Sequence, residues 1–350
     1  NSSLPGAKTA RKFGYFNKWQ GDVIKAVDWL LNNNYQTNSD NFSSKFSNAK
    51  IIQTLPGEAI KWLPKPLTSK FRYVNRKRAQ PANERTLMPS IILKGSTHVN
   101  AACYTVCLIN EFDALRLSAT ASSVALDFFV KVTGRSDIIG GVVDALPIVT
   151  NPKILDPLLN RYLRLICLIK SYSELFEEYY SFSLLDDDFV IPNRVNINYE
   201  LPFSEVTSKW SCLTPLRSDI GRRQAQLEID ILVALDLNLS FDEVVQIYSV
   251  QFPVMKTYEE ADLYDSKGRH LPNTTRKNAG AKELREVLKN HDGVSPVTVS
   301  WKIDNGNQTV TKTFYPPFNH VDRIEDYKTA YRVFSERLGM KPNDNKKEIH

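Results

Sequence analysis

Residues 17–33 place Val23, Ile24, Val27, Leu30 and Leu31 on one face of a 3.6-residue repeat, which predicts an amphipathic helix. An Asn- and Ser-rich loop over 33–49 follows, and from Ile51 onward Pro56, Pro64 and Pro66 break the chain into short strands and turns. Aromatic and basic side chains alternate over 71–74, as on a half-exposed strand, and 87–93 is a second strand-like run closed by Gly95. Residues 111–132 predict a helix with Leu115, Val124, Leu126, Phe128 and Phe129 supplying apolar contacts and Gly134 stopping it. A short strand is expected over 138–148, ending at Pro147.

The longest helical pattern covers 153–182, with Leu158, Tyr162, Leu165, Leu168 and Ile169 near heptad spacing. Proline-punctuated residues 185–215 read as a linker. A helix over 221–239 carries the stripe Leu227, Ile231, Val233 and Leu235, and Ser240-Phe241-Asp242-Glu243 is a capping box that opens the next helix, which Phe252-Pro253 ends. Residues 297–303 and 308–315 alternate around Asp304-Asn305-Gly306-Asn307, a strong hairpin signal. A last helix spans 322–338, and residues 341–350 form a fraying tail. Small sheets mixed with helices predict an α+β fold in two parts, 1–150 and 154–340, with no internal repeat.

Composition narrows the class. A chain of 350 residues with 42% hydrophobic and 11% aromatic content fills a core, which excludes wholesale disorder. No apolar run reaches the roughly 18 residues a membrane helix needs, so no membrane partner is expected. There is no signal-peptide pattern, and the missing initiator Met suggests a fragment or a processed product. Four cysteines are too few for a disulfide scaffold, which points to a reducing, cytoplasmic setting. The net charge of +6 is uneven: residues 1–100 carry +11 and the remainder −5. Nine cations but only Glu84 among the acids lie between Lys61 and Lys94. Such a field attracts polyanions.

Catalytic signatures are sparse. Cys103 and Cys107 are spaced by one helical turn without a second ligand pair, so no metal site is expected. No phosphate loop, serine-hydrolase elbow or dinucleotide fingerprint occurs, and the five histidines are scattered. Tyr315-Pro316-Pro317-Phe318 is similar to the Pro-Pro loop of amino-group DNA methyltransferases. Tyr315, however, lacks the amide or carboxylate oxygen that accepts a hydrogen bond from the target amine, so it reads as a rigid exit from the hairpin. No catalytic residue is assigned.

Two stretches resemble a known family. Asn83-Glu84-Arg85-Thr86 followed by the strand-like 88–93 resembles the signature of target-recognition regions in large restriction-modification methyltransferases. There a helix and a Leu-Pro-Ile strand follow, and residues 117–130 and Leu146-Pro147-Ile148 occupy those places here. Residues 222–268 and 314–331, with Gln251-Phe252-Pro253-Val254, Tyr264-Asp265 ahead of Gly268-Arg269, and Asp322-Arg323 ahead of Asp326-Tyr327, are similar to the C-terminal segment of the same bacterial class. The resemblance implies a TaqI-like DNA target-recognition domain over 1–150 and an accessory C-terminal domain over 154–340. It further implies a phage-defence or restriction-modification setting, duplex DNA as partner, and a catalytic adenine methyltransferase domain in the same or a companion chain. S-adenosylmethionine would serve that domain; no cofactor is expected in this chain.

On this basis Lys70, Arg72, Arg76, Lys77 and Arg78 are candidate phosphate ligands. Arg85 either contacts DNA or pairs with Glu84 or Asp127. Tyr73 either stacks on an unpaired base or packs in the core. Lys94 and Thr97, flanking Gly95, are candidate loop contacts, and Asn75 and Asn83 are candidate adenine readers. Arg222 and Arg223 open a helix whose macrodipole they oppose, a mark of a contact to phosphate or to another domain. Two other functions fit the same residues: an interaction module docking an acidic partner, and a nuclease with an unrecognised site.

Overall fold

The computed structural model describes residues 67–99, 101–106, 108, 110–195 and 200–340. The expected helix over 17–33, the loop and proline-broken stretch up to Pro66, and the tail over 341–350 lie outside the described residues. The fold is α+β, with two small antiparallel sheets and ten α-helices among the described residues. None of these helices is long and apolar enough to cross a membrane.

The chain divides into two compact units. Among the described residues, the first takes in 67–79, Leu87–Ala121 and Val130–Ile148; the second takes Gln80–Thr86, Ser122–Phe129 and those from Val149 to 340. In the first unit β1 (Arg72–Arg76) is the centre of a three-stranded sheet, flanked by β2 (Pro89–Ile92) and β3 (Cys103–Val106). Register puts Tyr73 opposite Ile91 and Val106, and Asn75 opposite Tyr104, so these residues share a face. All five are buried, and α1 (Glu111–Ala121) packs on β1 and β2. β3 is absent from the sequence expectations: the Cys103–Cys107 spacing reads as helical, but Cys103 lies on a strand.

The helix expected over 111–132 is two helices, α1 and α2 (Val124–Val132). Ser122 and Ser123 interrupt it, with the Ser123 hydroxyl accepting from the Leu126 amide at 3.4 Å, a bond that competes with the helical ladder. Gly134, at φ +61, does stop α2. The strand expected over 138–148 does not form. Ile138 is held at one point, its amide donating to the Lys77 carbonyl and its own carbonyl accepting from Asn75. Beyond it Gly140, at φ +21, turns the chain into the short α3 (Gly140–Val143).

The second unit is built on three packed helices. α4 (Pro152–Ile166) starts with Asn151 as cap and Pro152 in the first turn. α6 (Asp219–Asp236) packs on both α4 and α10 (Arg323–Leu338) and buries fourteen of its eighteen residues. The helix expected over 153–182 stops at Ile166 and resumes as α5 (Ser173–Glu178). The cause is tertiary: Trp210 Nε1 donates to the Cys167 carbonyl at 2.8 Å and Arg217 donates to that of Leu168 at 3.0 Å, taking acceptors a continuing helix would use. Residues 185–215 are not a free linker. Phe189, Val190, Val195, Phe203 and Val206 are buried, and Pro192 starts a short turn instead of marking flexible chain.

The Ser240 capping box opens α7 (Phe241–Gln251), and Pro253 opens α8 (Pro253–Ala261). Further on, α9 (Ala281–Leu288) lies against the hairpin of β4 (Val297–Ile303) and β5 (Gln308–Phe314). Leu271, Leu284, Val297, Val299, Trp301 and Phe314 form a local core there. Gly280, at φ +81, lies so close to Trp301 that a Cβ would meet ring carbon Cε3 at 2.4 Å. Both the left-handed backbone and the overlap forbid a side chain. Gly280→Ala is therefore expected to destabilise the protein by about 1–3 kcal/mol, read as a lowered urea midpoint. An unchanged midpoint would show that the hairpin is not seated on this glycine.

Candidate nucleic-acid interface

The structure sorts the nine sequence-predicted side chains by what they touch. Lys70 and Lys94 each stand 3.8 Å from the carboxylate of Glu111, one on either oxygen, and Lys94 also lies over the Phe71 ring. Arg72 is buried on β1 and donates to the carbonyls of Leu93 and Ser96, fastening the strand to the turn at Gly95. Tyr73 is 0% exposed in the sheet core. Arg72 is thus corrected from a DNA contact to framework, and of the two readings of Tyr73 the structure takes core packing: a phosphate or base would reach either only if the sheet opened. Thr97 is exposed.

Arg85 takes the second of its two readings, an ion pair, but with a different acid. Its guanidinium lies 3.2 and 3.3 Å from the two oxygens of Asp230, a residue with no exposed surface, and over the Phe252 ring. Burial would lower the guanidinium pKa, but Asp230 and Asp127 outweigh it and hold the group above its ordinary value. Neither partner expected from the sequence is the one it binds. Glu84 pairs with Arg276 at 3.0 Å, and the Asp127 carboxylate accepts the Thr86 amide through both oxygens, at 3.1 and 3.0 Å.

Arg76, Lys77 and Arg78 are placed differently. The chain leaving β1 pairs antiparallel with 136–138: Ala79 donates to the Ser136 carbonyl, Ile138 donates to that of Lys77, and Arg78 bridges Asp137. This pairing brings Arg135, which is exposed, beside the basic run. Across 76–79 and 135–138 there are four cations and one acid, Asp137, whose carboxylate lies 3.0 Å from Arg78. Arg78 is exposed, so that pair is solvent-screened and weak. The result is a surface strip of net charge +3 held by backbone hydrogen bonds. Arg135 was not singled out in the sequence, because it lies nearly sixty residues from the run it joins and only the Arg78–Asp137 bridge makes them neighbours.

The other motif residues hold the second unit together. Asp230 accepts from Arg85, Arg323 Nη1 at 3.0 Å, Tyr327 Oη at 2.7 Å and the Val124 amide at 2.8 Å. Arg323 also pairs with Glu259, as does Arg223, which reaches Asp326 at 2.7 Å. Arg222 donates to the carbonyls of Leu165 and Leu216. The two arginines that open α6 therefore serve packing within the unit. Asp265 caps its own loop, accepting from the Lys267 and Arg269 amides at 3.0 and 2.9 Å. A cleft of about 910 Å³ in this unit is lined by Arg194, Tyr264, Asn319 and His320 among others, and none of the nine predicted residues reaches it. Among the described residues no group of His, Cys, Asp or Glu side chains converges as a metal site.

The chain matches no known protein family, no curated protein and no solved structure.

Two outcomes follow from the ionic core. Asp230→Ala leaves Arg85 and Arg323 buried without this counter-ion and is expected to cost about 3–5 kcal/mol, measured by urea unfolding; a loss below 1 kcal/mol would contradict the assignment. Burial raises the pKa values of Glu259 and Asp262, but Arg323 and Arg223 on the first, and His270 and Arg276 on the second, bring both down to about 2. Depressed carboxylates stabilise the fold above their unfolded values of about 4 and lose that contribution as they protonate. Stability should therefore fall as the pH drops from about 4.5 to about 2, and Glu259→Gln should flatten that fall. An equally steep acid limb in the variant would place the sensitivity elsewhere.

Proposed function

We propose that this chain is a DNA-engaging recognition and accessory region that works beside an S-adenosylmethionine-dependent adenine methyltransferase domain in the same or a companion chain. The observation that carries it is the strip formed by Arg76, Lys77, Arg78 and Arg135 around the single acid Asp137. Such a strip neutralises phosphates and fixes register, the sequence-independent half of DNA recognition. The resemblance of 83–93 and of the C-terminal segments to restriction-modification methyltransferases supplies the biological setting, a bacterial cytoplasmic defence system. The motif residues themselves support the fold: Glu84, Arg85, Arg323 and Asp326 are spent on ion pairs inside the second unit.

The chemistry of the site is binding, not bond-breaking. Its cations are held on backbone-paired segments, so little is spent on ordering them when a duplex docks. Engagement of about four phosphates gives a slope of log affinity against log salt near −3.5. Fluorescence anisotropy with a mixed-sequence duplex tests this. Arg76→Ala, Lys77→Ala and Arg135→Ala combined should weaken binding and bring the slope to about −1, with a melting temperature close to that of the unsubstituted chain. Unchanged affinity and slope, or equal competition by polyglutamate, would overturn the proposal in favour of another surface or an acidic protein partner.

A further inference from the structure

The β4–β5 hairpin has two unlike faces. One carries Val297, Val299, Trp301 and Phe314 into the local core. On the other, register stacks three cross-strand pairs, Thr298 with Thr313, Ser300 with Thr311, and Lys302 with Thr309. Five of these six side chains are exposed and Thr313 is half-buried. The hydroxyls of the first two pairs lie 2.7 Å apart in each case. No carboxylate stands on this face; the hairpin's single acid, Asp304, is in the turn, beside Asn305 and Asn307.

We propose that this hydroxyl-and-lysine face is a two-stranded ribbon that enters the DNA major groove and reads base edges. The inference rests on the DNA-binding function proposed above and names the element that supplies sequence preference. Three physical features favour duplex DNA as occupant. The charge is complementary: Lys302 is the one ionisable side chain among the six on this face, whereas Lys312 pairs with Val299 on the other face. Two strands lie about 4.8 Å apart, and the major groove, about 12 Å wide, admits such a ribbon. Side chains on one strand face repeat every ~6.8 Å, about twice the 3.4 Å rise of a base pair, so each cross-strand pair meets alternate base steps. Each hydroxyl pair shares one hydrogen between two oxygens and keeps a second donor and several lone pairs for base edges. Lys302 supplies the cation that suits the O6 and N7 of guanine. Trp301, seated against Gly280, anchors the ribbon from behind.

The test is selection of the full chain on a randomised duplex library, followed by affinity measurements on the enriched sequence and on a scrambled one. The unsubstituted chain should enrich a short motif. Ser300→Ala with Thr311→Ala, and separately Lys302→Ala, should reduce the preference for that motif about tenfold or more while affinity for the scrambled duplex stays within about twofold. The hydroxyl-conserving pair Ser300→Thr with Thr311→Ser should retain the preference, which separates readout from any change in folding. Preference undiminished in the alanine variants overturns the ribbon proposal and leaves phosphate binding intact. So does duplex binding with no enriched motif. Absence of any salt-dependent duplex binding by the unsubstituted chain overturns the DNA function itself, and the ribbon proposal with it.

Discussion

Asp230 sits on α6 with no exposed surface, and the second unit is organised around the donors that meet its carboxyl group there. An isolated carboxylate in such a place is costly by several kcal/mol, and only a full set of donors offsets it. Those donors come from three separate parts of the chain: Arg85 from 80–86, the amide of Val124 from the start of α2, and Arg323 and Tyr327 from α10. Arg323 passes the constraint on to Glu259 of α8, and Glu259 to Arg223 of α6. A single helix position thus fixes where two short excursions of the N-terminal half join the C-terminal helices within one unit. A hydrophobic residue at 230 would leave two guanidiniums without their shared counter-ion, so the motif stretches at 83–86 and 322–327 depend on each other.

The same accounting separates the cations that build the molecule from those that face outward. Cations that meet a buried acid or a ring of carbonyls are spent: Arg72 on Leu93 and Ser96, Lys70 and Lys94 on Glu111, Arg85 on Asp230. The run at the end of β1 meets a short bridged segment, 135–138, whose only acid is Asp137, and so retains its field. Net charge along the sequence overstated the basic surface because it counts both kinds alike.

Much of the architecture was legible where local signals are strong. The capping box at Ser240, the helix over α6, the Asp304–Asn307 turn between alternating strands, and the last helix, α10, all form where the sequence expects them. Expectations failed where distant groups overrule local periodicity. Trp210 and Arg217 end α4 by taking the carbonyls of Cys167 and Leu168, and Ser123 splits the 111–132 helix. Buried aromatics such as Phe189 and Phe203, 4.8 Å apart, turn a proline-rich stretch into packed chain. Of the candidate interface, the basic run itself could be read from sequence; Arg135 and the commitment of Arg85 to Asp230 could not, since both depend on partners far along the chain.

Lysine acylation footprinting with mass spectrometry tests the central claim most directly, because it reports on the outward-facing cations in the intact chain. Duplex DNA should slow acylation of Lys77 at low salt, high salt should restore it, and polyglutamate at equal charge concentration should leave it unchanged. Equal protection by polyglutamate, or no protection by duplex at any salt, would contradict a DNA-facing role for this strip.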